Sequence, residues 1–194
     1  MPLNLAILIF DDVEVLDFCG PFEVFSVANR DTEPAEFRIY TVANAETVVA
    51  RGGLVVRRHH SLEHCPAPDV LLIPGGAGVR PLLHDPVVTA WIARQATVAQ
   101  ITTSVCTGAL LLGKLGLLDG LEATTHHRCI HELEEIAPRA KVSQGRRYID
   151  TGKVITSAGI SAGIEMSLHL VGRLLGAAVA DEVAARMEYC WNPD

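Results

Sequence analysis

The run Leu3-Asn-Leu-Ala-Ile-Leu-Ile-Phe10 constrains the fold more than any other segment. A continuous apolar stretch of this length belongs in the middle of a parallel sheet, where helices cover both faces of the strand. Asp69–Pro74 (Asp-Val-Leu-Leu-Ile-Pro) is a second core strand, and Glu36–Ala43 alternates as a strand should. Two short β-rich arms flank Arg51-Gly52-Gly53 within Thr47–Arg57, which predicts a hairpin or a pair of short strands. Leu121–Thr125, Lys141–Ser143, Arg147–Asp150 and Val154–Ser157 predict further short strands.

Helical periodicity fills the intervals. Apolar residues recur at helical spacing from Glu14 to Asn29, with Gly20-Pro21 between them. The reading is a short turn or helix followed by a longer helix that starts near Pro21, since proline suits a first helical position. Asp85 is placed as N-cap of a helix over Asp85–Ala99 with Pro86 at its first position. His126–Ile136 has helical spacing, stopped by Pro138. Ser161 is the expected N-cap of a long helix ending at Leu175, and Ala177–Glu188 a last helix. Strand and helix alternate over almost the whole chain, which predicts an α/β doubly wound, mostly parallel sheet with helices on both faces. No repeat, low-complexity stretch or linker divides it, so residues 1–194 are read as one domain.

Composition excludes several classes. The 194 residues are 49% hydrophobic and 20% charged, with 16 basic against 23 acidic residues and a net charge of −7. That argues against disorder, and no Lys/Arg-rich run is long enough for a nucleic-acid footprint. No signal peptide is expected at the N-terminus, and no apolar run reaches the ~20 residues that span a bilayer. The five cysteines are odd in number and lack framework spacing, so free thiols in a reducing, cytoplasmic setting are expected.

Chemistry concentrates at Gln100-Ile-Thr-Thr-Ser-Val-Cys106-Thr-Gly-Ala-Leu-Leu-Leu-Gly-Lys114, which changes from strand to helix at one cysteine. A tight turn there holds Cys106 in a sparsely populated backbone conformation at the carboxyl end of a strand, where open α/β sheets bind ligands. A helix starting near Thr107 aims N–H groups at the sulfur and favours thiolate. A buried, inert cysteine is the other reading. Gly75, Gly76 and Ala77 follow the second core strand without the spacing of a dinucleotide fingerprint. If they lie beside the cysteine their amides can meet developing negative charge; otherwise they form a plain turn. Asp17 is the only charge from Val15 to Phe22, so it is either a desolvated carboxyl of raised pKa or a cap before Gly20-Pro21. Thr107 either steadies the sulfur or a water, or satisfies local amides. His126 closes a short strand, as a base or as a structural histidine. His127 and His131, four apart around Cys129, lack a third ligand at a recognisable interval, so no metal is expected. His59-His60 and His64-Cys65 read as surface.

Leu16-Asp17-Phe-Cys-Gly-Pro21, Ile73-Pro-Gly-Gly76, Ser104-Val-Cys106-Thr-Gly108, Ala123-Thr-Thr-His126 and Thr156-Ser-Ala-Gly-Ile-Ser-Ala-Gly163 together resemble the ThiJ/PfpI superfamily, from about Leu3 to Glu188. The likeness is greatest to its isonitrile hydratase branch and to the amidotransferase-type sensor domains fused to AraC-type regulators. It implies a flavodoxin-like (class I glutamine amidotransferase-like) fold, a Cys106 nucleophile, an acid at Asp17 facing it, amides near Gly76-Ala77, a small-molecule substrate, no cofactor and a homodimer. Thr107 stands where the intracellular peptidase branch has histidine, which weakens a peptidase reading. Glyoxalase- and deglycase-type members typically have glutamate where this chain has Asp17. His127-Arg-Cys-Ile-His131 lacks the tryptophan usual after the first histidine in hydratases and is closer to the sensor domains. Three functions follow: a cofactor-free cysteine hydratase, a redox or metabolite sensor, and a glyoxalase- or deglycase-like enzyme. With no helix-turn-helix appended before Asp194, the enzyme is the leading expectation.

Overall fold

The computed structural model describes residues 1–30 and 35–191. Its strands are β1 (Leu3–Leu8), β2 (Phe37–Ala43), β3 (Thr47–Val49), β4 (Val55–Arg57), β5 (His60–Ser61), β6 (Val70–Ile73), β7 (Ile101–Val105), β8 (Glu122–Ala123), β9 (Lys141–Val142), β10 (Tyr148–Asp150) and β11 (Val154–Ser157). The helices are α1 (Val15–Ala28), α2 (Val79–Leu82), α3 (Pro86–Val98), α4 (Gly108–Lys114), α5 (Ile130–Ile136), α6 (Ala162–Leu175) and α7 (Ala177–Arg186). Seven strands form one sheet in the order β10-β11-β7-β6-β1-β2-β5. Every pairing in it is parallel except β10 with β11. This is the doubly wound, mostly parallel arrangement expected from the alternation of elements, and the flavodoxin-like fold that the resemblance implies.

The apolar runs occupy the centre. Leu5, Ala6, Ile7, Leu71, Leu72 and Ile73 are fully buried, as are Trp91 and Ile92 of α3. Strand order reverses around β1, which pairs with β2 on one side and with β6 on the other. A reversal of this kind opens a crevice at the carboxyl ends of the strands. Asp85 caps α3 as predicted, its carboxylate accepting from the Val87 and Val88 amides at 2.8 and 3.2 Å. The β3–β4 hairpin closes over Arg51–Gly53. Among the described residues no helix is long and apolar enough to cross a membrane.

Three local expectations need correction. α1 does not restart at Pro21; it runs unbroken from Val15 with Pro21 inside it. An interior proline costs ~3 kcal/mol. Burial of Phe18, Val24 and Phe25 at ~1.5–3 kcal/mol each offsets that cost. Gly20 adds to the packing, because a Cβ there would press to 3.0 Å from Ile164 Cγ1 on α6. The segment after His126 is also not one helix. A 3-10 turn, His127–Cys129, precedes α5, so His127 and His131 do not share an α-helical face. Ser161 stands at the N-cap of α6 but makes no capping bond; its hydroxyl accepts from Arg147 instead.

Candidate active site

Four connections meet at the carboxyl edge of the sheet: those after β1, β6, β7 and β11. They carry, in turn, Asp17, Gly75-Gly76-Ala77, Cys106 and Ile160. The strand-to-helix turn at Cys106 is as tight as the sequence implies, and Cys106 adopts a left-handed φ of 56°. A non-glycine residue holds that conformation only where its surroundings fix it. Here the Cys106 N–H donates to the Ser157 and Ala158 carbonyls, both at 3.2 Å. Its carbonyl accepts from the Thr125 hydroxyl at 2.7 Å.

Asp17 lies in the first turn of α1 and is completely buried. Its Oδ2 accepts from the Gly75 amide at 3.0 Å, while Oδ1 has no hydrogen-bond partner. Asp17 therefore does not cap the helix. Burial pushes its pKa up to about 7; the Gly75 amide opposes the rise, and the Glu14 charge adds to it. The Cys106 thiol and the Ile160 amide interact more weakly with the carboxyl and lower it slightly.

Burial first, and the Asp17 charge second, push Cys106 up to about 12. The Thr107 and Ile160 amides pull the other way without prevailing. The start of α4 thus does not leave a free thiolate at rest. Desolvation and a neighbouring carboxylate outweigh the amides; Asp17 and Cys106 hold two protons below about pH 7 and one between them above it.

The glycine turn is committed differently from the expectation. The Gly75 N–H serves Asp17, and the Gly76 N–H donates to Thr107 Oγ1 at 2.9 Å. Thr107 Oγ1 in turn donates to the Gly76 carbonyl at 3.2 Å. Thr107 is therefore a clamp between two connections. Two of the amides expected to face a substrate instead position the acid and lock the turn. The donors directed at the Cys106 sulfur come from Thr107 and Ile160.

Ile160 is the residue that sequence reasoning missed. Its φ is 54°, an unusual value for a β-branched side chain. That backbone turn brings its amide to both Asp17 and Cys106. Neighbouring Gly159 signals only that the chain bends there.

His126 borders the same cavity without a hydrogen bond to Cys106. Its Nδ1 accepts from the Arg128 amide at 3.2 Å, which leaves the ring proton on Nε2. The ring packs on His127, with centroids 4.4 Å apart, and against Gly159, where a Cβ would fall 2.2 Å from its Cδ2. Burial lowers its pKa, and the charges of His127 and Arg128 lower it further, so it is neutral at pH 7.

An open cavity of about 390 Å³ lies over these groups. Cys106, Thr107, Gly76, Ala77, His126 and Ile160 form its floor and wall, and Glu14, Arg51, Arg80, Arg128 and Cys129 complete the lining. All five cysteines are free thiols. Among the described residues no group of three or more His, Cys, Asp or Glu side chains converges as a metal site.

A strained cysteine directly after β7 of a flavodoxin-like sheet, with a buried acid from the connection after β1, narrows the choice of family. The DJ-1/PfpI family model matches residues 4–173. The chain belongs to the DJ-1/PfpI family. It is similar to the isonitrile hydratase of Pseudomonas putida, 36% identical over 194 residues, which is all of this chain and 81% of that enzyme. The HTH-type transcriptional regulator GbdR of Pseudomonas aeruginosa is 28% identical over 189 residues. The match takes in 97% of this chain but only 51% of the regulator. A ThiJ/PfpI family protein from Pseudomonas syringae superimposes with a TM-score of 0.89 at 30% identity, covering 100% of this chain and 77% of that one. An AraC family transcriptional regulator from Pseudomonas putida shares the fold, with a TM-score of 0.80 at 20% identity over 96% of this chain and 100% of that one.

Proposed function

We propose that this protein is a cofactor-free, cysteine-dependent enzyme that hydrates a small isonitrile to an N-substituted formamide. The observation that carries the reading is the pairing of a fully buried acid, raised to about 7, with a thiol on a left-handed turn beneath a cavity. Likeness to the Pseudomonas putida isonitrile hydratase over the whole chain supports the choice of substrate.

Moving the pair's one proton to Asp17 and leaving sulfur as thiolate gives both reagents the reaction needs. The Asp17 carboxyl protonates the terminal isonitrile carbon, and Cys106 Sγ bonds to that same carbon, giving a neutral thioimidate and an Asp17 carboxylate. Water then adds across the C=N bond, its hydroxyl to carbon and its proton to nitrogen. Collapse of this adduct breaks the C–S bond and releases the formamide, and the hydroxyl proton returns to Asp17. Thr107 and Ile160 amides steady the thiolate when it is expelled. Neutral His126 is suited to orient the water, with Nε2–H turned from the bond its Nδ1 already makes.

Turnover of a panel containing isonitriles, methylglyoxal, amides and esters, with Cys106→Ala as blank, tests the proposal. Consumption of an isonitrile by the wild type alone supports it. Preference for methylglyoxal would move the assignment to a glyoxalase-like enzyme. A sensor is the second reading, favoured by the likeness to GbdR and by the stretch His127–His131; it predicts no turnover of any member. A homodimer is expected from family likeness, and light scattering giving a single-chain mass near 20.9 kDa would overturn that.

A further inference from the structure

Charge around the cavity runs against the charge of the chain. The protein is net −7, yet three guanidinium groups border this cavity, Arg51, Arg80 and Arg128, against the single carboxylate of Glu14. They differ in how far each is already engaged. Arg80 is tied to Glu132 at 2.7 Å and also reaches Cys129 Sγ at 3.7 Å. Arg51 is held loosely by Glu14 at 3.9 Å. The Arg128 side chain has no ion-pair partner among the described residues, although its charge is felt at the His126 ring. An unpaired guanidinium beside a small cavity is suited to a planar, two-oxygen anion.

We infer that the substrate carries a carboxylate, or an anion of like shape, remote from its reacting carbon, and that Arg128 receives it with Arg51 in support. This rests on the proposed enzymatic reading, because it takes Cys106 as the reacting centre. Cationic walls would also gather such anions at the mouth of an acidic protein, an effect weakened by salt.

Alkylation of Cys106 tests the inference without requiring turnover. Iodoacetate and iodoacetamide are nearly equal in size and differ by one negative charge. Their rate ratio at Cys106 is to be measured by peptide mass spectrometry against the ratio at exposed Cys190 in the same sample. We expect iodoacetate to be favoured at Cys106 at least about threefold relative to Cys190. The preference should fall at 0.5 M salt and in Arg128→Gln, and return in part in Arg128→Lys. An equal or lower ratio at Cys106 overturns the inference, as does failure of both reagents to reach Cys106. A second arm compares an isocyano carboxylate with its methyl ester. Equal kcat/KM for the two overturns the anion site and leaves the hydratase standing. If neither is consumed while the alkylation preference holds, the hydratase falls and the anion site remains.

Discussion

Asp17 and Asp150 occupy opposite edges of the same sheet and show what two environments make of one side chain. Asp17 follows β1 at the carboxyl edge, has one hydrogen bond and is pushed up to about 7. Asp150 ends β10, which runs antiparallel and so delivers it to the other edge. There it meets His169 at 2.7 Å, Arg173 at 2.9 and 3.0 Å and the Gly152 amide at 2.7 Å. Partial burial alone would raise its pKa, but His169, Gly152 and Arg173 together bring it below the ordinary value. One carboxyl is kept short of partners and holds a proton that can be given away. The other is saturated with partners and stays ionised. Perturbed acids short of compensation gather at reactive sites, whereas compensated ones hold structure.

The same substitution at the two positions should therefore act in opposite ways. Asp17→Asn keeps size and polarity but cannot give up a proton. We expect it to lower turnover of an isonitrile by ~10²–10⁴-fold while leaving Cys106 open to alkylation. Turnover equal to wild type would remove Asp17 from the chemistry.

Stability should move the other way. The folded pKa of Asp17 lies above its unfolded value of 3.8, so its favourable contribution is complete below about pH 4 and is lost as pH rises through about 7. At ~1.4 kcal/mol for each pH unit between those values, full ionisation costs up to about 4 kcal/mol. Asp17→Asn escapes that cost. Urea unfolding should show the variant gaining on the wild type between pH 5 and pH 8, by about 2–4 kcal/mol. A difference that does not change with pH would mean that Asp17 is not titrating in this window.

Turnover by the wild type should follow the same proton. Below about 7 both Asp17 and Cys106 are protonated, and above it the pair carries the single negative charge that the reaction needs. kcat/KM should rise about tenfold per pH unit on the acid side and level off above pH 8. A profile centred near pH 4 would indicate an ordinary, solvated Asp17.

Much of this contrast was legible in the residues. Continuous apolar runs identify β1 and β6 because strands buried on both faces have no polar side. By contrast, β7 (Ile101–Val105) is buried with Thr102, Thr103 and Ser104 in it and shows only as an extended stretch before the change of period. Asp17 stands out as a lone charge among Leu16, Phe18 and Phe22, and Cys106 as the residue at a change of period. What could not be read depended on partners distant in the chain. Nothing local to Gly75 or Gly76 reveals that their amides are taken by Asp17 and Thr107. Ile160 gives no compositional hint of a left-handed backbone, since β-branched residues disfavour it; its neighbours hold it there. The resting proton on the Cys106–Asp17 pair was missed for the same reason. The helix start is visible in sequence, but the depth of burial that overrides it is not. Pro21 misled because local propensity cannot register the packing of α1 on α6.

The smallest expected effect belongs to Asp150→Asn, and it completes the comparison. Asp150 lies far from the cavity, so turnover should not change. Its side chain is 20% exposed, and its partners His169 and Arg173 are 29% and 35% exposed, so solvent screens much of the attraction. Replacing it should cost about 1 kcal/mol at pH 7, a fall of ~2–4 °C in melting temperature. The sign of the pH dependence is reversed from Asp17. A depressed folded pKa gives stability that is present above 3.8 and is lost as pH falls through the folded value. The penalty of the variant should therefore shrink as pH falls below 3.8. Melting curves of the two proteins at pH 7 and pH 3 measure it. A penalty that persists unchanged at pH 3 would show that shape, not charge, holds this edge of the sheet. A loss of turnover matching that of Asp17→Asn would end the division between a reactive and a structural aspartate.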